Sequence, residues 1–128
     1  MLYHVSDQLN IEILTPKIPE IAIEENEDMT KKRVCFSDSI SGCLSSIGPS
    51  EAMLYCVYTP IDSNIPIYNP TIYDVKDVEF TREVWVLQNV NVKLIGIITI
   101  KFSHNSRYET IRGDVIIPNY TYEWVCKF

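Results

Sequence analysis

Residues Thr81 to Phe102 read TREVWVLQNVNVKLIGIITIKF, and two apolar runs inside them, Val84 to Leu87 and Val92 to Phe102, decide the fold. Their β-branched side chains favour extended backbone over helix, so the stretch predicts two strands joined by the polar pair Gln88-Asn89. Glu83 stands at the mouth of the first strand. A carboxylate there is either a plain, solvent-facing strand end or a ligand contact held by a rigid sheet, and both readings stay open.

Three further segments complete the predicted core. Ala52 to Tyr58, AMLYCVY, is almost continuously apolar and suits a central strand covered on both faces. Met1 to Ser6, MLYHVS, alternates, placing Leu2, His4 and Ser6 on one face of a short strand and Tyr3 and Val5 on the other. His4 is then accessible, either as a half-exposed strand residue or as a hydrogen-bond donor to a ligand. A strand from Arg33 to Phe36 runs into SDSISGCLSSIG, where Ile40, Cys43, Leu44 and Ile47 recur at helical spacing. Ser37 or Asp38 is expected to cap that helix, and Gly48-Pro49 to end it. A helix of about ten residues is marginal alone, so its apolar face must lie on the sheet. Its first turn offers free N–H groups to an anion, and Ser37, Ser39 and Ser41 read either as a phosphate lining or as caps and solvent-facing filler.

The connections are polar or proline-rich. Leu9 to Pro19 ends in Pro16-x-x-Pro19 and predicts extended backbone turning a corner. Glu20 to Asp28 is acidic and Lys31 to Arg33 basic, which predicts a surface loop. Thr59 to Phe80 holds Pro60, Pro66 and Pro70 and shows no clear period, the mark of a lid or binding loop; Tyr68 and Tyr73 either stack on a base or pack that loop down. SHNSRYE, residues 103–109, predicts a polar turn, Gly113 a bulge or hairpin turn, and Pro118-Asn119 another turn. Tyr120 to Phe128 reads as a last strand with Tyr122, Trp124 and Cys126 on one face. The expected architecture is one α+β domain over 1–128, with mostly antiparallel, strongly twisted sheets and one short helix after the second strand.

Composition narrows the function. A net charge of -6 and a pI near 4.8 disfavour a protein that wraps duplex nucleic acid, whose affinity comes from Lys and Arg neutralising phosphates. No apolar run approaches the roughly 20 residues of a membrane span, which predicts no membrane partner. Cys35, Cys43, Cys56 and Cys126 sit in apolar company without metal-ligand spacing, which predicts buried reduced thiols, no metal site and a cytoplasmic setting. No phosphate-loop, dinucleotide, zinc-protease or nucleophile-elbow motif occurs. The remaining candidates for chemistry are His4, Ser37, Tyr58 and Glu83, with Arg33 close by.

Taken in order, LYHVS, RVCFSDSISGCLSSI, LYCVY and REVWVLQNVNVKLIGIITI resemble the strands of a small ADP-ribosyltransferase-like fold over roughly residues 1–100. The resemblance implies that His4 holds the ribose or nicotinamide end of a dinucleotide, that Ser37 or Tyr58 lines the pocket, and that Glu83 contacts the ribose hydroxyl beside the reacting carbon. In that family the histidine is commonly followed by glycine, whereas Val5 follows it here, and Thr81 stands where a second acidic residue would precede Glu83. Both departures weaken transfer chemistry more than nucleotide binding. The pattern also looks like small proteins of bacteria and their phages that capture a signalling nucleotide, which would place a phage-encoded chain in the host cytoplasm.

The leading expectation is therefore a non-catalytic binding module for an NAD-derived or ADP-ribose-like nucleotide, without a cofactor, acting by sequestration against host immune signalling. Its expected contacts are His4, Ser6, Arg33, Ser37, Ser39, Tyr58, Tyr68, Tyr73 and Glu83, and homo-oligomers remain an option. The alternative is an ADP-ribosyltransferase or related NAD-using enzyme with Glu83 and His4 as its catalytic pair. A third reading is an acidic inhibitor of a basic protein partner.

Overall fold

The computed structural model describes residues 1–20, 22, 27–111 and 113–128. Its elements in chain order are β1 (His4–Ser6), β2 (Ile13–Leu14), β3 (Val34–Ser37), α1 (Ile40–Ile47), β4 (Leu54–Pro60), α2 (Val78–Thr81), β5 (Glu83–Val86), β6 (Val90–Thr110) and β7 (Gly113–Lys127). All strand pairings among them are antiparallel. The α+β, mostly antiparallel expectation holds. The short strand β2, not foreseen in the proline-rich segment, makes α1 follow the third strand, and α2 adds a one-turn helix not foreseen in the sequence. Residues 21 and 23–26 of the expected acidic loop lie outside the described residues.

The two runs of Thr81 to Phe102 separate into different sheets. β6 sits in a five-stranded sheet of order β1-β4-β6-β2, with β7 also on β6, while β5 pairs with β3 in a two-stranded sheet. The sheets meet through two isolated bridges. Tyr3 and Ser37 exchange backbone hydrogen bonds of 2.8 and 3.0 Å, and Lys17 and Arg33 exchange bonds of 3.1 and 2.9 Å. Arg33 and Ser37 are an even number of residues apart, so both use the edge of β3 turned away from β5. That edge is thus closed at each end, with Cys35 between.

β4 is central and alternates as its apolar run requires. Tyr55 and Val57 face a cluster with Val5, Ile98, Ile100 and the α1 residues Ile40, Cys43 and Leu44. Cys56 and Tyr58 face the opposite cluster, with Val34, Phe36, Val86, Val90 and Val92. One face of the main sheet is therefore covered by α1 and the other by the β3–β5 sheet.

Helix α1 is capped one residue later than expected: Ser39 Oγ accepts the Gly42 N–H at 3.0 Å, while Ser37 and Asp38 do other work. Asp38 pairs with Arg82 at 2.7 Å. The predicted stop holds, since Gly48 adopts φ 61 and its N–H donates to Leu44 O.

The expected polar turn at 103–109 is strand instead. β6 runs through to Thr110, which pairs with Gly113 at φ 105, so the hairpin turn falls at Gly113; Arg112 lies outside the described residues. Pro118-Asn119 does not turn either, for Pro118 pairs with Asn105 and Asn119 with His104. Cross-strand backbone bonds satisfy this arm whatever its side chains, and His104, Asn105, Arg107 and Glu109 stay exposed. Among the described strands β7 pairs with β6 alone, and such an edge tolerates a proline.

Gly96 on β6 lies under Trp124. A side-chain carbon added there would meet the Trp124 ring and the Cys126 carbonyl. Gly96→Ala is expected to cost about 2 kcal/mol by overpacking, read as a lower urea midpoint; an unchanged midpoint would mean the Trp124 ring swings clear.

Candidate functional site

The junction of the two sheets holds a cleft of about 50 Å³. Ser37 and Glu83 are direct partners across β3 and β5, so their side chains share a face, with Cys35 and Trp85 the next pair along. His4 arrives from the other sheet. The lining comprises His4, Ser37, Ser46 and Glu83, the thiols of Cys35 and Cys43, and apolar walls from Val5, Phe36 and Ile47.

His4 is placed by the gap in the edge of β3. Its Nδ1 lies 2.8 Å from Cys35 O, the carbonyl left between the two bridges. A carbonyl only accepts, so Nδ1 carries the proton and Nε2 is the acceptor. The ring also meets Phe36 edge-on at 5.8 Å. This corrects the expectation that His4 donates to a ligand: the donor is taken by the backbone. Burial holds the imidazole below its ordinary 6.5, against the opposing pull of the Cys35 hydrogen bond.

Glu83 is 8% exposed, which removes the reading of it as a solvent-facing strand end. Its Oε2 accepts the Trp85 Nε1–H at 3.0 Å. Burial pushes its carboxyl above the ordinary 4.5, while the Trp85 hydrogen bond and the nearby Arg33 charge pull it back. Desolvation dominates, as it does for carboxylates in apolar surroundings.

The other lining groups are not nucleophiles. Ser37 Oγ donates to Thr81 O at 2.6 Å and accepts the Ser39 N–H at 3.3 Å, so its proton points to a carbonyl and not to an imidazole. Cys43 donates its thiol proton to Tyr3 O, and burial pushes that thiol up to about 12. Burial likewise lifts Cys35 well above its ordinary 9.0. Neither is a thiolate at neutral pH.

Of the nine expected contacts, His4, Ser37 and Glu83 come together here. Arg33 does not line the cleft: it is 1% exposed, stacks at 4.0 Å on the Trp85 ring, and its guanidinium donates to Asp28 O, Lys31 O and Glu27. Those partners hold Nη1 and Nη2, and Nε is left without a partner but buried with the rest of the residue. Tyr58 is fully buried, its hydroxyl donating to Gln8 O at 2.7 Å and accepting the Ile11 N–H. Tyr68 packs its loop down, stacked on Trp85 at 5.5 Å, while Tyr73 is exposed. Ser39 is the helix cap, and Ser6 Oγ accepts the Gln8 N–H at 3.1 Å. Sequence reasoning missed Trp85, which touches Glu83, Arg33 and Tyr68 together. A tryptophan two residues after a strand-opening carboxylate, hence on the same face, was the available signal.

His4→Ala leaves the Cys35 carbonyl unpaired and is expected to cost about 1–3 kcal/mol at pH 7, whereas His4→Asn, which keeps a donor, should cost less. The folded imidazole titrates below its unfolded value of 6.5. Its contribution is full above that value and is lost as pH falls through the folded pKa. The gap between wild type and His4→Ala in urea melts should therefore narrow below pH 6.5; a constant gap would show that His4 titrates normally.

Fold and site together define an α+β protein of two antiparallel sheets with a narrow, largely apolar cleft at their junction, lined by a neutral imidazole and a buried carboxyl among others. No protein-family model, no curated protein and no solved structure matches the chain. Among the described residues no group of three potential ligands is placed to hold a metal ion, and no helix is long and apolar enough to cross a membrane.

Proposed function

We propose that the chain is a non-catalytic binding module for an NAD-derived or ADP-ribose-like nucleotide, built on an ADP-ribosyltransferase-like arrangement of strands and acting by sequestering its ligand. One observation carries this reading: His4, Ser37 and Glu83, far apart in sequence, line one cleft beside α1. A carboxylate and a neutral imidazole suit ribose hydroxyls, and apolar walls strengthen such hydrogen bonds by excluding water. The cleft's volume of about 50 Å³ is below that of sites enclosing whole ligands. Only one end of the nucleotide enters, and the remainder lies over the mouth.

The non-catalytic reading is supported by the lack of an activated nucleophile among the lining side chains. Ser37 has no base on its hydroxyl, and both cleft thiols are protonated. Calorimetry with NAD, ADP-ribose and cyclic ADP-ribose isomers tests the proposal: binding of at least one supports it, and no heat from any of them removes it. The placement of a buried Glu83 in the cleft lining favours one second reading, an NAD-using transferase in which its carboxylate stabilises a cationic ribose. Incubation with labelled NAD separates the two, since NAD recovered intact rules out the enzyme.

A further inference from the structure

We infer that the group entering this cleft is rich in O–H or N–H donors and carries no negative charge, because His4, Ser37, Cys43 and Ser46 each have their own proton committed inward. His4 gives Nδ1–H to Cys35 O, leaving Nε2 as an acceptor. Ser37 gives its hydroxyl proton to Thr81 O, Cys43 its thiol proton to Tyr3 O, and Ser46 its hydroxyl proton to Gly42 O. The Cys35 thiol is at most a weak donor, and ionised Glu83 has no proton to give. What these side chains turn to an entering group is lone pairs.

An anion meets no free side-chain O–H or N–H donor here and one carboxylate, so phosphate is repelled. A hydroxyl cluster or an ammonium finds acceptors on His4, Ser37 and Glu83, and bonds to the charged one are the strongest. The volume admits one such group at a time. Two sources share this chemistry, the hydroxyls of a sugar and a primary ammonium. The inference rests on the nucleotide reading for the first source alone; the donor rule stands on the hydrogen bonds.

The test uses the full chain with isotope-labelled histidine and glutamate, following the His4 ring nitrogens and the Glu83 carboxyl carbon by NMR. Ribose, methylammonium, inorganic phosphate and ADP-ribose are titrated separately. The expected result is an Nδ1-protonated His4, saturable shifts of both residues with ribose, methylammonium or both, and no shift with phosphate. Glu83→Gln, which puts a donor in place of an acceptor, should weaken the binding donor by about tenfold or more, and His4→Asn should do so while keeping the Cys35 bond. An Nε2-protonated His4, shifts with phosphate but not with the donors, or silence with every probe overturns the inference. Methylammonium binding without ribose or ADP-ribose upholds the donor rule and removes only the nucleotide reading.

Discussion

Trp85→Ala should destabilise the protein by about 4 kcal/mol, within the usual range for deleting a buried aromatic side chain. Trp85 has no exposed surface, lies against Tyr68 at 5.5 Å with an interplanar angle of 21°, and carries the Arg33 guanidinium 4.0 Å from its ring centroid. Its indole N–H is also the donor to Glu83. Truncation opens a cavity, uncovers a buried cation and leaves a buried carboxylate short of a donor, three losses at one position. Trp85→Phe separates them: the stack survives, only the hydrogen bond goes, and a cost of about 1–2 kcal/mol is expected. Urea unfolding of the two variants measures both. Equal losses for Ala and Phe would mean that the Glu83 bond, and not the stack, holds β5 in place.

Glu83→Gln should behave in the opposite way, weakening ligand binding while leaving the fold as stable as before or more so. The glutamine carbonyl still accepts from Trp85, and the buried charge is gone. Because the folded carboxyl titrates above its ordinary value, ionised Glu83 subtracts stability at neutral pH, and that deficit disappears as pH falls through the folded pKa. Wild type and Glu83→Gln should therefore differ most at pH 7 and converge in acid. For binding, loss of a charged acceptor predicts a weakening of about tenfold to a hundredfold, seen by calorimetry with whichever nucleotide binds the wild type. A variant that unfolds at pH 7 would make Glu83 a structural residue and take the site with it. Stability gained where binding is lost is the mark of a group kept for function.

Much of the frame is legible from local pattern. Within the AMLYCVY run, Tyr55 to Tyr58 read correctly as strand buried on both faces, whereas the strand begins only at Leu54 and Ala52 to Leu54 are exposed. The α1 periodicity, its Gly48 stop and the alternation of MLYHVS also read directly. The polar arm at 103–109 does not: its composition says turn, yet β7 lies alongside and satisfies its backbone, and pairing outweighs local preference. Arg33 misleads in a similar way. A cation in a basic run belongs outside on its own chemistry, and only Trp85, Glu27 and two backbone carbonyls make its burial tolerable.

For the cleft, the letters alone determined which residues are fit for chemistry: one imidazole in an early strand, one serine at the end of another, one carboxyl opening a third. They set the apolar faces that put those strands against each other. What only the tertiary structure decided is the direction of each proton. His4 faces a carbonyl stranded between two bridges, Ser37 faces Thr81, and Glu83 is roofed by an indole, all contacts between segments distant in sequence. Hydrogen-bond direction depends on which acceptor lies within 3 Å or so, and that proximity is created by packing, which no local pattern of residues encodes.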